Sequence, residues 1–342
     1  MHKTMNFRRV VGAGLAIAMG MSVSLAATAA MADEKIRILC PTWSGFAPVF
    51  VAQELGYFKN LGIEVDIKFE DERANVMAAM EHGDIEMDMR TVGEYQGKPR
   101  DAKTPGIIIG AIDQSLGGDG VIASGDITSV EQLKGKTVAS EPNIPARLLL
   151  QMELKKKGLT LADLDLKQIA TADTVAVFND PSIAAVVSYQ PNLSQAIDKV
   201  PQRKPHILVS SAQYPGIVID VITARQDDLK ANPEKYKKFM IGIFKAVDYF
   251  KTNKADFIKL AAPHFNLTPE EFAESIEGSL EYTGLKETSE YLGKPGAPGT
   301  LFKIFDEVMQ LNIENGAADN TLKADEQIDN SIVASITEAD LK

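Results

Sequence analysis

The chain has 342 residues, 45% of them hydrophobic and 24% charged, an ordinary balance for a globular protein. Its formal charge of -11 argues against nucleic acid as a partner, since a polyanion would be repelled. A single cysteine, Cys40, excludes an internal disulfide and leaves stability to the core.

The first residues read as an export signal. Lys3, Arg8 and Arg9 precede an apolar, small-residue stretch from Val10 to Leu25, and Ala30-Met31-Ala32 supplies the cleavage site, so the mature chain is expected to begin near Asp33. The apolar run is too short and too broken by Gly and Ser for a membrane anchor. Loss of residues 1–32 removes three basic residues and no acid, taking the charge from -11 to -14. Cys40 follows Arg37-Ile38-Leu39 rather than the small residues that precede a lipidated cysteine, so a buried strand position is expected for it. A soluble periplasmic chain follows, large enough for two lobes of about 100 to 200 residues each.

Short apolar runs alternate with amphipathic ones, the pattern of an α/β chain with largely parallel sheets. The first unit is a predicted strand at 36–39, a loop from Pro41 to Gly45, a helix over 48–60 and a strand at 63–69, the length of a βαβ crossover. A helix over 72–82, a strand at 85–89 and a fully apolar strand at 106–112 complete a first lobe. Gly117-Gly118-Asp119-Gly120 then breaks the pattern. A second series begins there: strands at 121–124, 136–140 and 184–188, with helices over 129–133 and 146–157. Strands at 206–210 and 216–222 follow, and the rest reads as helical. Asn232-Pro233-Glu234 and Thr268-Pro269-Glu270 each mark a helix start by cap, Pro and acid. Residues 33–115 with 212–342 are expected to form one lobe and 116–211 the other. Leaving a lobe and re-entering it requires two crossings, the layout of a hinged cleft.

Pro41 to Phe58 followed by Leu61-Gly62-Ile63-Glu64-Val65, the Ser129 to Ala139 stretch, and Tyr189-Gln190-Pro191 together resemble periplasmic binding proteins of the nitrate, sulfonate and taurine ABC importers. The resemblance implies a two-lobe type II periplasmic-binding-protein fold with two hinge crossovers and a helical C-terminal part. It also implies a monomer that hands a small molecule to an inner-membrane permease, or reports it to a sensor. Asp113-Gln114-Ser115, Gly118-Asp119-Gly120, Ala185 to Ser194 and Pro215 to Asp220 resemble the branch associated with urea-carboxylase-type enzymes. That narrower likeness implies a small nitrogen-rich ligand of the urea or guanidine kind.

Helix N-termini at a cleft suit anions, but here acids occupy the same neighbourhoods: Asp71, Asp113, Glu141 and Asp220. A carboxylate inside the apolar run from Ile217 to Ile222 is costly to bury alone. Asp220 therefore meets a cationic ligand, pairs internally with Arg90 or Arg147, or is exposed. Trp43, the only tryptophan, either stacks on a planar or cationic ligand or packs in the core. Thr42 and Ser44 donate to a ligand or cap the next helix. Tyr189 occupies an aromatic position of the resembling family. Arg90 and Thr91 end a strand, where cleft contact and helix start are both open, and Asn143 lies beside Glu141 in the second-lobe loop. The ligand set expected is thus Thr42, Trp43, Ser44, Arg90, Asp113, Glu141, Asn143, Tyr189 and Asp220. The alternative is an anion such as an alkanesulfonate or taurine, with Arg90 or Arg147 as counter-charge, or a pyrimidine-type precursor. No catalytic, cofactor or metal motif is present: His82, His206 and His264 are scattered, and no nucleophile elbow or phosphate loop occurs.

Overall fold

β1 (Glu34–Cys40) turns Ile36, Ile38 and Cys40 inward and runs parallel to β2 (Ile63–Phe69), pairing Glu34 with Ile63 through Cys40 with Phe69. These belong to a computed structural model that describes residues 34–342, so the export signal expected over 1–32 lies outside the described residues. Between the strands, the expected helix over 48–60 is in fact two, Ala47–Glu54 and Tyr57–Asn60. Gly56 parts them at φ +71°, a left-handed conformation that glycine adopts at no steric cost.

The remaining strands are β3 (Met87–Thr91), β4 (Ile107–Ser115), β5 (Asp119–Ala123), β6 (Thr137–Ser140), β7 (Asp165–Gln168), β8 (Ile183–Tyr189), β9 (His206–Ser210), β10 (Ile219–Ala224) and β11 (Leu280–Tyr282). They form two separate sheets, in the order β11-β4-β10-β3-β1-β2 and β7-β6-β8-β5-β9. Both are mixed, which corrects the expectation of largely parallel sheets. β10 is antiparallel to β3 and β4, and β5 is antiparallel to β8 and β9. A parallel neighbour needs a crossover that returns the chain to the same end of its sheet. β5 and β10 instead arrive straight from the other sheet. The C-terminal part is not helical throughout, because β11 pairs with the end of β4.

The 20-residue helix Pro233–Thr252 covers the first sheet with helix Ala47–Glu54, and Phe58 stacks on Phe239 at 5.4 Å between ring centres. In the second sheet Val121, Val138 and Val187 pack with Leu149 and Leu150 of helix Pro145–Lys156, while Ile122, Ala139 and Val186 meet Phe178, Leu193 and Ala196 behind. Cys40 is buried, as expected. Among the described residues no helix is long and apolar enough to cross a membrane.

The two sheets are joined at 115–119 and 210–219. Gly117 lies at φ +135°, and a Cβ there would stand 2.5 Å from the Gly278 carbonyl oxygen. Ser211, fully buried on the second crossing, binds the Ser115 hydroxyl at 2.8 Å and accepts from the Gly117 N–H at 2.7 Å on the first. One side chain therefore ties both crossings together. On the far side, Gln151 Nε2 donates to the Leu311 carbonyl at 3.1 Å and Asn315 Nδ2 donates to Gln151 Oε1 at 2.7 Å. These bonds link helix Pro145–Lys156 of the second-sheet half to helix Thr300–Glu314 of the first.

Candidate functional site

Strand register gathers the acids. Asp220, the second residue of β10, lies opposite Thr91 on β3 and Asp113 on β4, with an irregularity immediately after it that re-aims the strand. Asp119 begins β5 just past the first crossing. Asp113, Asp119 and Asp220 expose 0, 3 and 4% of their surface. Among the described residues none of the three forms an ion pair.

Trp43 Nε1 reaches the two Asp113 oxygens at 3.2 and 3.3 Å. Gly45 makes that contact possible, since a Cβ there would collide with both the Asp113 carboxylate and the indole nitrogen. Burial raises the Asp113 pKa, opposed by the Trp43 hydrogen bond, and pushes Asp119 up to about 7 against the pull of the Ser115 hydroxyl. Asp220 lies well above the usual carboxylate range, first from burial and then from the charges of Asp113, Glu94 and Asp119. Buried acids without a cation avoid the cost of charge by holding protons.

Trp43, Asp119 and Asp220 wall a small inner cavity of about 20 Å³ with Pro41, Thr91, Glu94, Pro145 and Tyr189. In this conformation it has room for a water-sized group, and a planar head as large as guanidinium enters only with movement of its walls. Trp43 and Tyr189 meet edge to face in its wall, ring centres 6.2 Å apart. Glu94 Oε2 accepts from the Thr91 N–H at 3.1 Å and its hydroxyl at 2.7 Å, and Glu94 Oε1 lies 3.6 Å from Arg90. Glu94 also borders a second cavity of about 870 Å³ between the two halves, where Arg73, Arg90 and Lys98 face Glu141, Asn143, Arg147 and Asp173.

The expected residues therefore divide. Trp43, Tyr189 and Asp220 line the inner cavity with Asp113 directly behind them, and Arg90, Glu141 and Asn143 line the outer one. Thr42 and Ser44 line neither. The Thr42 N–H is 2.7 Å from Asp71 Oδ1, while the Ser44 hydroxyl meets Ser275 at 2.8 Å and its carbonyl accepts from Tyr282 at 2.9 Å. Asp220 is not paired with Arg90 or Arg147, which corrects the internal ion-pair alternative. Arg90 instead approaches Asp88 at 3.5 Å and Glu94 at 3.6 Å. Glu141 accepts from the Thr171 N–H at 3.2 Å and its hydroxyl at 2.6 Å, and burial raises its pKa.

Asp119 and Glu94 were missed as site residues. An acid between glycines at the break in pattern was the available signal for Asp119. Glu94 sits in a Thr91-x-x-Glu94 capping box, which reads as helix chemistry alone. Carboxylates without counter-ions, beside two aromatic rings, offer hydrogen-bond acceptors and π faces in one place. Among the described residues no cluster of His, Cys, Asp and Glu is arranged to hold a metal ion.

The family model described as NMT1/THI5 like matches residues 43–255. A Brucella abortus protein named only as a binding protein is 22% identical over 250 residues, 72% of this chain and 76% of its own length. The fold matches the periplasmic aliphatic sulphonate binding protein of Escherichia coli with a TM-score of 0.70 at 15% identity, covering 87% of this chain and 92% of that one. It matches the periplasmic nitrate-binding protein of Synechocystis PCC 6803 with a TM-score of 0.66 at 15% identity, covering 90 and 86%. At such identities the structural likeness speaks for the fold.

Proposed function

The chain belongs to the NMT1/THI5-like family, and from that premise we propose that it is the periplasmic solute-binding component of an ABC importer, taking a small nitrogen-rich cation of the guanidine kind. The observation that carries the ligand class is the set of three buried carboxylates, Asp113, Asp119 and Asp220, without a basic partner, beside Trp43 and Tyr189. A cation entering there meets hydrogen-bond acceptors and aromatic faces at once. The relatives support the role: those named bind small molecules or are named as binding proteins.

Capture works by closure. The two crossings held by Ser211 act as the hinge, residues 33–115 with 212–342 move against 116–211, and the Gln151–Asn315 contact is made on the open side as the halves meet. The chain is exported and cleaved before Asp33, so intact mass of periplasmic protein begins there.

The test is a thermal-shift panel of guanidinium, methylguanidine, ethylamine, urea, taurine, ethanesulfonate and nitrate, each at millimolar concentration against matched sodium chloride. Guanidinium or methylguanidine should raise the melting temperature, a ligand at 100 times its dissociation constant adding about 2.7 kcal/mol. Stabilisation by ethanesulfonate or nitrate alone would overturn the cationic reading.

A further inference from the structure

Arg147 is the one cation lining the outer cavity, among the described residues, whose side chain meets no carboxylate or carbonyl. The others each have a carboxylate or carbonyl close by, although Arg90 Nε makes no hydrogen bond. Arg73 donates to the Gly97 carbonyl at 2.6 Å, Lys98 lies 2.8 Å from Asp319, and Arg90 faces Asp88 and Glu94. Arg147 is half-buried, and loss of solvent lowers its pKa with no compensating acid.

Its place in the chain deepens the cost. It stands in the first turn of the 12-residue helix Pro145–Lys156, which has no acid there and no side-chain cap from Ile144. The positive end of the helix dipole repels a guanidinium. A chain that holds an unpaired cation against both burial and the dipole gains only if something anionic comes to it.

The two cavities adjoin. Glu94 lines both, and Pro145, a wall of the inner cavity, is two residues before Arg147. A third, small cavity of about 10 Å³ bridges them and is bordered by Thr91, Glu94, Pro145 and Arg147. The Glu141 carboxylate on the far wall is turned to Thr171.

We infer that the ligand is bipolar, with a cationic head among the inner carboxylates and an anionic tail on Arg147, as in an ω-guanidino carboxylate. This rests on the cationic reading of the inner cavity and extends it. The head lies between Asp220 of the first sheet and Asp119 and Tyr189 of the second, and the tail adds a contact to a helix of the second-sheet half that a bare guanidinium does not make.

Calorimetric titration with guanidinium, propylguanidinium, 3-guanidinopropionate and 4-guanidinobutyrate decides it. In the unaltered protein at least one carboxylate should bind about tenfold or more tighter than propylguanidinium, the scale of one charge-assisted hydrogen bond. Arg147→Gln should remove that advantage and leave propylguanidinium affinity unchanged or higher, and Arg147→Lys should keep part of it, retaining charge without the fork. The apo melting temperature of Arg147→Gln should not fall, because a misplaced charge has been removed. If guanidinium and propylguanidinium bind and neither carboxylate binds tighter, or if the advantage survives Arg147→Gln, this inference alone is wrong. If none of the four binds, the cationic reading falls and this inference with it.

Discussion

At the scale of single residues, Asp220 decides between a site and a structural pair. It stands opposite Asp113 across β10 and β4, and among the described residues it forms no ion pair. Asp220→Asn keeps the shape and removes one of three mutually repelling acids. The apo protein should melt at the same or a higher temperature, while guanidinium affinity falls about 10- to 100-fold, or about 1.5–3 kcal/mol. A buried pair broken by the same change would instead cost about 3–5 kcal/mol in the apo protein, so a collapsed melting temperature refutes the assignment. Gly45→Ala is a second handle, because its Cβ must displace Trp43 or Asp113; a loss of about 1–3 kcal/mol is expected by overpacking, with weaker ligand binding. Trp43, Asp113 and Asp220 stand out in the sequence as a lone indole in a loop and carboxylates at or within apolar strands, and Tyr189 through the family resemblance, and the structure brings these four together. Thr42 and Ser44 were drawn in by adjacency to Trp43. Adjacency does not set direction: Trp43 is extended at φ -142°, ψ 128°, and the tight turn Ser44–Phe46 that follows carries the Ser44 hydroxyl away to Ser275.

At the scale of elements, the closure proposed above makes the contact between helices Pro145–Lys156 and Thr300–Glu314 a latch between the halves. Gln151 both donates to Leu311 and accepts from Asn315, so Gln151→Ala removes two bonds at once. The neighbouring Lys155–Glu314 pair at 2.7 Å is exposed and adds little. Small-angle scattering of unliganded Gln151→Ala should give a larger radius of gyration than the unaltered protein, and ligand affinity should fall several-fold; superimposable curves would show that the latch does not hold closure. The first of these helices was read from sequence over 146–157 and the second only as part of a helical C-terminal stretch; their meeting was not read, since no pattern of local period encodes which helices cross a cleft. The longer strands β1, β2, β4, β8 and β9 were legible to within a few residues from their apolar runs. β7 and β11 were not. Asp165-Leu166-Lys167-Gln168 is a polar edge, and Leu280-Glu281-Tyr282 is too short to show a period. Strand direction was hidden for a different reason: the antiparallel entry of β5 and β10 follows from crossing between sheets, which spacing does not reveal.

At the scale of the whole molecule, the site sets the pH dependence of folding and of binding in opposite senses. Asp113, Asp119 and Asp220 all titrate higher in the fold than in the unfolded chain, Asp119 at about 7. An acid whose pKa is raised by folding binds more protons in the native state. Its favourable contribution is complete below the unfolded value near 4 and is lost as pH rises through the folded value. Acids with lowered pKa, such as Glu86 beside Arg37 and Asp228 beside Lys235, act the other way, but their stabilisation is lost only as pH falls below about 4. Between about pH 5 and 8 the buried trio therefore dominates, and the apo melting temperature should rise as pH falls across that window. A cationic ligand needs the carboxylates ionised, so its stabilising shift should grow as pH rises through about 7, with proton release on binding measurable as a dependence of titration heat on buffer ionisation enthalpy. Melting curves at pH 5.5, 6.5, 7.5 and 8.5, with and without guanidinium, test both halves. Asp220→Asn should flatten the apo slope, which separates the site from the general self-repulsion of an acidic chain. An apo melting temperature that climbs from pH 5.5 to 8.5, or a ligand shift that is largest at pH 5.5, would falsify a cluster of proton-holding acids waiting for a cation.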